Sequence, residues 1–155
     1  MLFSVAAAAF LADRVTKVWA ESRLVDAPLE VIDGILTLRF TTNSGGAFSI
    51  GGSAPWIFVT ASVLVIGIIV ATAFRHTSLL SAAAVGLILG GALGNLTDRA
   101  IRGDGFRGRV VDFIDVHVWP IFNLADTAIV IGAVLLAVGS FIDAREPDPE
   151  PADAG

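Results

Sequence analysis

Residues 95–126 read NLTDRAIRGDGFRGRVVDFIDVHVWPIFNLAD, and they hold most of this chain's interior-worthy polar groups between two long apolar runs. Two asparagines, several aspartates and a cluster of arginines stand there at a membrane boundary. Ionisable groups are costly to keep in such a place, so the stretch reads as an active site. The flanking runs fix the fold class. Trp56 to Phe74 gives nineteen residues without a charge and Leu79 to Thr97 another nineteen, each long enough for a helix that crosses a bilayer. A last run, from about Trp119-Pro120 to Ile142, puts Asn123 and Asp126 one turn inside its start and on one helix face.

Composition agrees. The chain is 55% hydrophobic with a mean hydropathy of +0.79, against roughly 45–50% apolar content for soluble domains. The net charge of -5 comes largely from the end. REPDPEPADAG is rich in proline and acid with nothing apolar to bury, so 144–155 is expected to be a disordered, solvated tail. There are no cysteines and only two histidines, His76 and His117. Disulfides, thiolate chemistry and a cysteine nucleophile are excluded, and a zinc site is not expected.

Residues 1–20 read as a first spanning helix, because the helical pattern runs past the apolar MLFSVAAAAFLA through Asp13 and Lys17 instead of ending at a cleavage site. Asp13 and Lys17 share a face at i, i+4. They are either a salt-bridged helix end or an inward pair that supports a site. From 24 to 50 the character changes: Val31-Ile32, an Asp33-Gly34 turn signal, then Leu36, Leu38 and Phe40 alternating with Thr37, Arg39 and Thr41. That is a half-buried hairpin, which cannot cross hydrocarbon as an open sheet and must lie at the surface. It leads into Asn43-Ser44-Gly45-Gly46-Ala47-Phe48, a plain turn or a place where backbone approaches a ligand closely. Gly86, Gly90 and Gly94 form a stripe suited to close helix packing within the molecule.

The expected fold is therefore an all-α membrane protein with four transmembrane helices, at about 1–20, 56–74, 79–97 and 119–142, and a small β region at 24–50. Both termini fall on one side and the two long connections on the other. Arg23, Arg39, Arg99, Arg102, Arg107 and Arg109 lie on the long-loop side, so charge counting alone would make those loops cytoplasmic.

An extended reading of VVDFIDVH separates Asp112 from Asp115 and His117, which fall on the opposite face. The short link from Asp112 to the last helix lets it fold back beside Asp126. Two carboxylates in a low-dielectric setting share a proton, and such a pair takes a proton from water and gives one to a leaving amine. Asn43, Asn95 and Asn123 would supply neutral donors. The competing reading puts the two aspartates in unrelated ion pairs with Arg99 or Arg109. Strand alternation parts Asp112 from Asp115 and His117 as metal ligands. The arginines lack interleaved aromatics, so they point to lipid headgroups and not to nucleic acid.

In order, Asp13-x-x-x-Lys17, Asn43-x-Gly45-x-Ala47-Phe48, Gly94-Asn95-x-x-Asp98-Arg99, Val110-Val111-Asp112-Phe113 and Phe122-Asn123-x-Ala125-Asp126 resemble the motif set of the bacterial lipoprotein signal peptidases, signal peptidase II. The resemblance implies a single peptidase domain over 1–143, with cytoplasmic termini and an extracytoplasmic antiparallel β-cradle. It implies an aspartic endopeptidase of the bacterial inner membrane, without cofactor or metal. The substrates would be diacylglyceryl-modified prolipoproteins, cut before the lipidated cysteine on the extracytoplasmic side. Asp112 and Asp126 match the catalytic pair. Asn43, Asn95, Arg99 and Asn123 match residues that line the site or steady the aspartates, and Asp13 and Lys17 match structural supports. Membrane lipids are the other expected partner, and the protein is expected to act as a monomer. On this reading the arginines from 99 to 109 are kept outside to meet substrate and headgroups. The chain departs from the family at Gly46, where alanine is common, in its short link from Asp112 to Asp126, and in starting almost inside the first helix, which points to a shortened start. A small proton-coupled carrier using Asp13, Asp112 and Asp126 is the rival function, although no inverted repeat supports it. A noncatalytic scaffold would leave the polar stretch idle.

Overall fold

The computed structural model describes residues 1–44, 55–73 and 78–143. The glycine loop with Gly46, the Arg75-His76 connection and the acidic tail lie outside the described residues. Among the described residues there are four α-helices, α1 (Leu2–Arg23), α2 (Pro55–Thr72), α3 (Leu79–Ile101) and α4 (Leu124–Asp143), together with three strands, β1 (Leu29–Ile32), β2 (Leu36–Asn43) and β3 (Val110–Asp115). By length and hydropathy, α3 and α4 are able to cross a membrane, and α2 is a shorter apolar helix.

Helix α3 is the centre, and its small residues let neighbours come close. A Cβ on Gly86 would stand 2.6 Å from the Leu2 carbonyl of α1, and one on Gly132 of α4 would stand 2.5 Å from the Ala84 carbonyl of α3. The glycine stripe therefore serves packing inside the molecule. Leu2, Ala6, Ile69, Val85 and Leu89 form the apolar core between α1, α2 and α3. Ser78 starts α3, its hydroxyl accepting from the Ser81 amide at 3.0 Å, a cap that satisfies one orphan donor.

The sheet is antiparallel throughout, in the order β1-β2-β3. The hairpin turns at Gly34, whose φ of 65° is one that glycine adopts at little cost. Leu38, Phe40 and Phe113 pack on Ala20 and Leu24 at the end of α1, and Trp19 meets Phe113 edge-on at 6.5 Å. The alternation in β2 thus seats the sheet on the helix end with Arg39 exposed.

Two boundaries differ from the sequence expectation. Helix α3 continues past Thr97 to Ile101, because the charged side chains of its last turn are satisfied by α1 and β3 and have no need to leave the helix. Helix α4 starts at Leu124 and not at Trp119-Pro120. Residues before it form a bridge instead: Phe122 exchanges hydrogen bonds with Ile114, donating at 3.1 Å and accepting at 2.9 Å. Asn123 and Asp126 consequently stand at the helix entrance and not one turn within it.

Candidate active site

The entrance of α4 is a reciprocal cap. Asn123 Oδ1 accepts from the Asp126 amide at 2.9 Å, and Asp126 Oδ2 accepts from the Asn123 amide at 3.3 Å. A capping pair spaced i, i+3 satisfies orphan backbone donors and also fixes both side chains. Another of the first-turn donors, the Ala125 amide, goes to Asp13 Oδ1 of α1 at 3.0 Å. The negative end of Asp126 thus faces the positive end of the α4 dipole.

Asn123 is fully buried and turns its side-chain amide toward β3. It donates to Asp112 Oδ1 at 2.7 Å, and lies 3.2 Å from both the Val111 carbonyl and Asn95 Oδ1. Asp112 sits opposite Thr41 in the sheet and is 2% exposed. Asn43, at the end of β2, also hydrogen-bonds it. Burial first, and the Asp126 charge second, push the Asp112 carboxyl from 3.8 up to about 6.

Asn95 of α3 completes the link. Its Oδ1 accepts from Lys17 Nζ at 2.9 Å and its Nδ2 donates to Asp126 Oδ1 at 2.8 Å. The ammonium can only donate, so it settles which end of the amide faces Asp126. Lys17 is fully buried and pairs with Asp13 at 2.9 Å and Asp98 at 3.1 Å. Asp13 and Lys17 both point inward and touch the entrance of α4, Asp13 through the Ala125 amide and Lys17 through Asn95. Gly94 makes room for Asp13: a Cβ there would stand 3.0 Å from Asp13 Cγ.

Arg99 is buried, with its guanidinium 5.6 Å from the centre of the Phe58 ring and one nitrogen donating to the Asn95 carbonyl at 3.2 Å. Its Nε is buried without a hydrogen-bond partner. Neither Arg99 nor Arg109 forms an ion pair with Asp112 or Asp126 among the described residues; Arg109 donates to the Thr42 carbonyl at 2.8 Å. Asp115 and His117 stand apart from the carboxylate pair. Asp115 accepts from the His117 amide at 2.8 Å and from Arg39 Nε at 2.6 Å, and these hold its carboxyl below the ordinary range. Among the described residues no three acid or histidine side chains converge as a metal site.

Beside Asp126 opens a cleft of about 400 Å³ lined by Val116, Trp119, Phe122, Thr127, Val130 and Ile131. It descends the flank of α4, since Thr127, Val130 and Ile131 follow Asp126 at helical spacing. Two residues of the site have no role assigned to them in the sequence reading, Phe58 and Asp98. Phe58, inside a uniformly apolar run, carries no signal for its place under Arg99. Asp98 does carry one, three residues from Asn95 and thus on the same helix face.

This arrangement joins two carboxylates through Asn123, with a buried cation behind them and an apolar cleft in front. Residues 5–142 match the family described as signal peptidase (SPase) II. The chain is 43% identical over 127 residues to a lipoprotein signal peptidase of Caldicellulosiruptor bescii, covering 82% of this chain and 81% of the relative. To the lipoprotein signal peptidase of Streptomyces coelicolor it is 43% identical over 152 residues, covering 97% and 73%. A bacterial membrane enzyme solved by the in meso method superposes with a TM-score of 0.83 at 27% identity, covering 98% of this chain and 94% of that one. With motifs, fold and relatives in agreement, this chain belongs to the signal peptidase II family of membrane-bound lipoprotein signal peptidases.

Proposed function

We propose that Asp112 and Asp126 are the two carboxylates with which this lipoprotein signal peptidase hydrolyses its prolipoprotein substrates. The observation that carries the assignment is Asn123, which donates to Asp112 and caps Asp126 at once. Asp112 holds the shared proton. Asp126 takes a proton from a water between the two, and the resulting hydroxide adds to the scissile carbonyl. Asp112 gives its proton as the C–N bond breaks, so the new amine leaves neutral and the new carboxyl keeps the water oxygen. Arg99 steadies the site through the Asn95 carbonyl, to which it donates at 3.2 Å.

The cleft beside Asp126 takes the diacylglyceryl group on the residue after the scissile bond. Each buried methylene contributes about 0.8 kcal/mol, so the lipid supplies binding energy next to the reacting carbonyl. All four helices span the inner membrane in one domain over 1–143, the dyad faces the extracytoplasmic side, and the protein acts as a monomer among lipids. Asn43, Asn95 and Asn123 steady the carboxylates, while Asp13 and Lys17 support them from α1.

The test is cleavage of a purified diacylglyceryl-modified prolipoprotein by the intact protein and by Asp112→Asn and Asp126→Asn. Signal-peptide release by the intact protein alone is the expected result. Undiminished cleavage by either variant removes the dyad, and no cleavage by the intact protein returns the carrier reading.

A further inference from the structure

We propose that Asp98 is a positioning residue for the hydrolysis: its carboxylate, through the backbone amide of Val111, sets where Asp112 stands. The inference rests on the catalytic reading of Asp112 given above. Strand β3 is an edge strand, with β2 on one side only. Its other side is nevertheless held at two places. Phe122 bonds Phe113 and Ile114 just after Asp112, and Asp98 Oδ2 accepts from the Val111 amide at 3.2 Å just before it. Asp112 is thus fixed between two clamps, one of them a charged side chain from α3.

That side chain is held rigidly. Asp98 is fully buried and is gripped by Arg14, by Lys17 at 3.1 Å and by Arg102 Nε at 3.1 Å. Lys17 belongs to α1 and Arg102 is itself fixed by both of its terminal nitrogens on Glu21, at 2.9 and 3.0 Å. The approach of the strand to α3 is equally close. Gly108 donates to the Arg99 carbonyl at 3.0 Å, and a Cβ on it would stand 2.7 Å from the carbonyls of both Asp98 and Arg99.

The same cluster reaches the second carboxylate, because Lys17 also orients Asn95, which donates to Asp126. Asp98 is therefore one group removed from Asp112 and two from Asp126. Pairing of charges alone does not require the bond to Val111, since Asp98 already has three cations. The bond to the strand amide is the feature that ties the ion cluster to the position of Asp112.

The experiment measures cleavage of a diacylglyceryl-modified prolipoprotein by the full chain in detergent. It adds the melting temperature and hydrogen exchange over residues 110–115. Asp98→Ala removes the acceptor, Asp98→Asn keeps an oxygen in its place, and Arg14→Gln loosens the ion cluster without touching the Val111 bond. Misplacing a catalytic group by about 1 Å costs on the order of 100-fold. Asp98→Ala is accordingly expected to lower kcat by about that factor with KM little changed, and to lose protection at Val111. Asp98→Asn restores protection and most of the kcat, and Arg14→Gln lowers the melting temperature while kcat stays close to that of the wild type. Should Asp98→Ala fail to fold, Asp98→Glu replaces it. One extra C–C bond, about 1.5 Å, pushes the carboxylate toward the strand and is expected to lower kcat at a near-normal melting temperature. An Asn variant no more active than Ala, a Glu variant as active as wild type, or an Arg14→Gln whose kcat falls as far as that of Asp98→Ala overturns the proposal. A wild-type protein that leaves the precursor uncut overturns the catalytic reading itself.

Discussion

Asn123 gives its side-chain amide to Asp112 across 2.7 Å, while its side-chain oxygen caps the amide of Asp126 at 2.9 Å. One residue thereby sets the distance between a strand carboxylate and a helix carboxylate. The two halves of that role are separable by mutation. Asn123→Asp keeps a capping oxygen but turns a third carboxylate toward Asp112, whereas Asn123→Ala loses both functions. Loss of the cap costs about 1 kcal/mol, but a third carboxylate buried without a cation beside Asp112 costs more, so Asn123→Asp is expected to melt lower than Asn123→Ala at neutral pH. Both are expected to lose most of their cleavage activity. An Asn123→Asp enzyme with wild-type kcat would show that the donated bond to Asp112 is unimportant.

Asp112 makes folding stability depend on pH in a defined direction. Its carboxyl is raised from 3.8 to about 6 in the folded chain, so the folded state binds the proton more tightly than the unfolded state between those values. The stabilising contribution is fully present below about 3.8 and is lost as pH rises through about 6. At about 1.4 kcal/mol per unit, the loss is on the order of 3 kcal/mol. Asp112→Asn removes the ionisation and with it the penalty. The variant is expected to be inactive yet to melt above the wild type at pH 8, with the difference shrinking toward pH 4. Thermal unfolding in detergent at the two pH values checks this, and a variant that melts lower at pH 8 than at pH 4 relative to wild type refutes it.

Two glycines of apolar helices are expected to respond in opposite ways to alanine. At Gly94 the added methyl would meet the Asp13 carboxylate, 3.0 Å from its Cγ, and push it away from Lys17 and the Ala125 amide. Overpacking of this kind costs about 1–3 kcal/mol, and activity is expected to fall with it because Asp13 caps the turn that carries Asp126. At Gly67 of α2 nothing lies within 4 Å of the new methyl. There the better helix propensity of alanine is worth about 1 kcal/mol or less. Gly67→Ala is expected to be neutral or slightly stabilising, with unchanged kcat. Parallel melting and cleavage assays on the two variants test the contrast.

The sequence carried the apolar runs and the hairpin openly, because bilayer length and strand alternation write themselves into hydropathy with periods that survive without neighbours. Leu36, Leu38 and Phe40 against Thr37, Arg39 and Thr41 gave β2, and Asp33-Gly34 gave its turn. Trp119-Pro120 imitates a helix entrance, but α4 starts at Leu124. The bridge between Phe122 and Ile114, a contact with a strand eight residues away, decides instead. The convergence of Asp112 and Asp126 could be argued from the short link between them. What could not be read was how they are held. The bonds from Asn95, from Lys17 and from the Asp98 side chain cross between α1, α3 and β3, and no local pattern announces which polar side chain answers which amide across a helix interface.

The cleft below Asp126 follows one flank of α4. Its floor is the flank of α4 at Thr127, Val130 and Ile131 and its lip is Trp119 with Phe122. Val130 and Ile131 are 61% and 46% exposed, and Trp119 is 64% exposed, so the cleft is open on its outer side. An acyl chain entering from lipid would lie along α4 with the thioether sulfur of the lipidated cysteine near Asp126. Filling the floor with Val130→Trp or Ile131→Trp leaves every hydrogen bond of the carboxylates in place, since neither residue takes part in them. The expected effect is therefore on binding. KM for the diacylglyceryl precursor rises, by about tenfold for each 1.4 kcal/mol of acyl contact displaced, while kcat is nearly unchanged. The rise is expected to be smaller for precursors with shorter acyl chains, because fewer methylenes then compete with the indole for the same volume. Kinetics on precursors that differ only in acyl length measure this directly. A KM increase that is independent of chain length would place the signal peptide, and not the lipid, in the cleft.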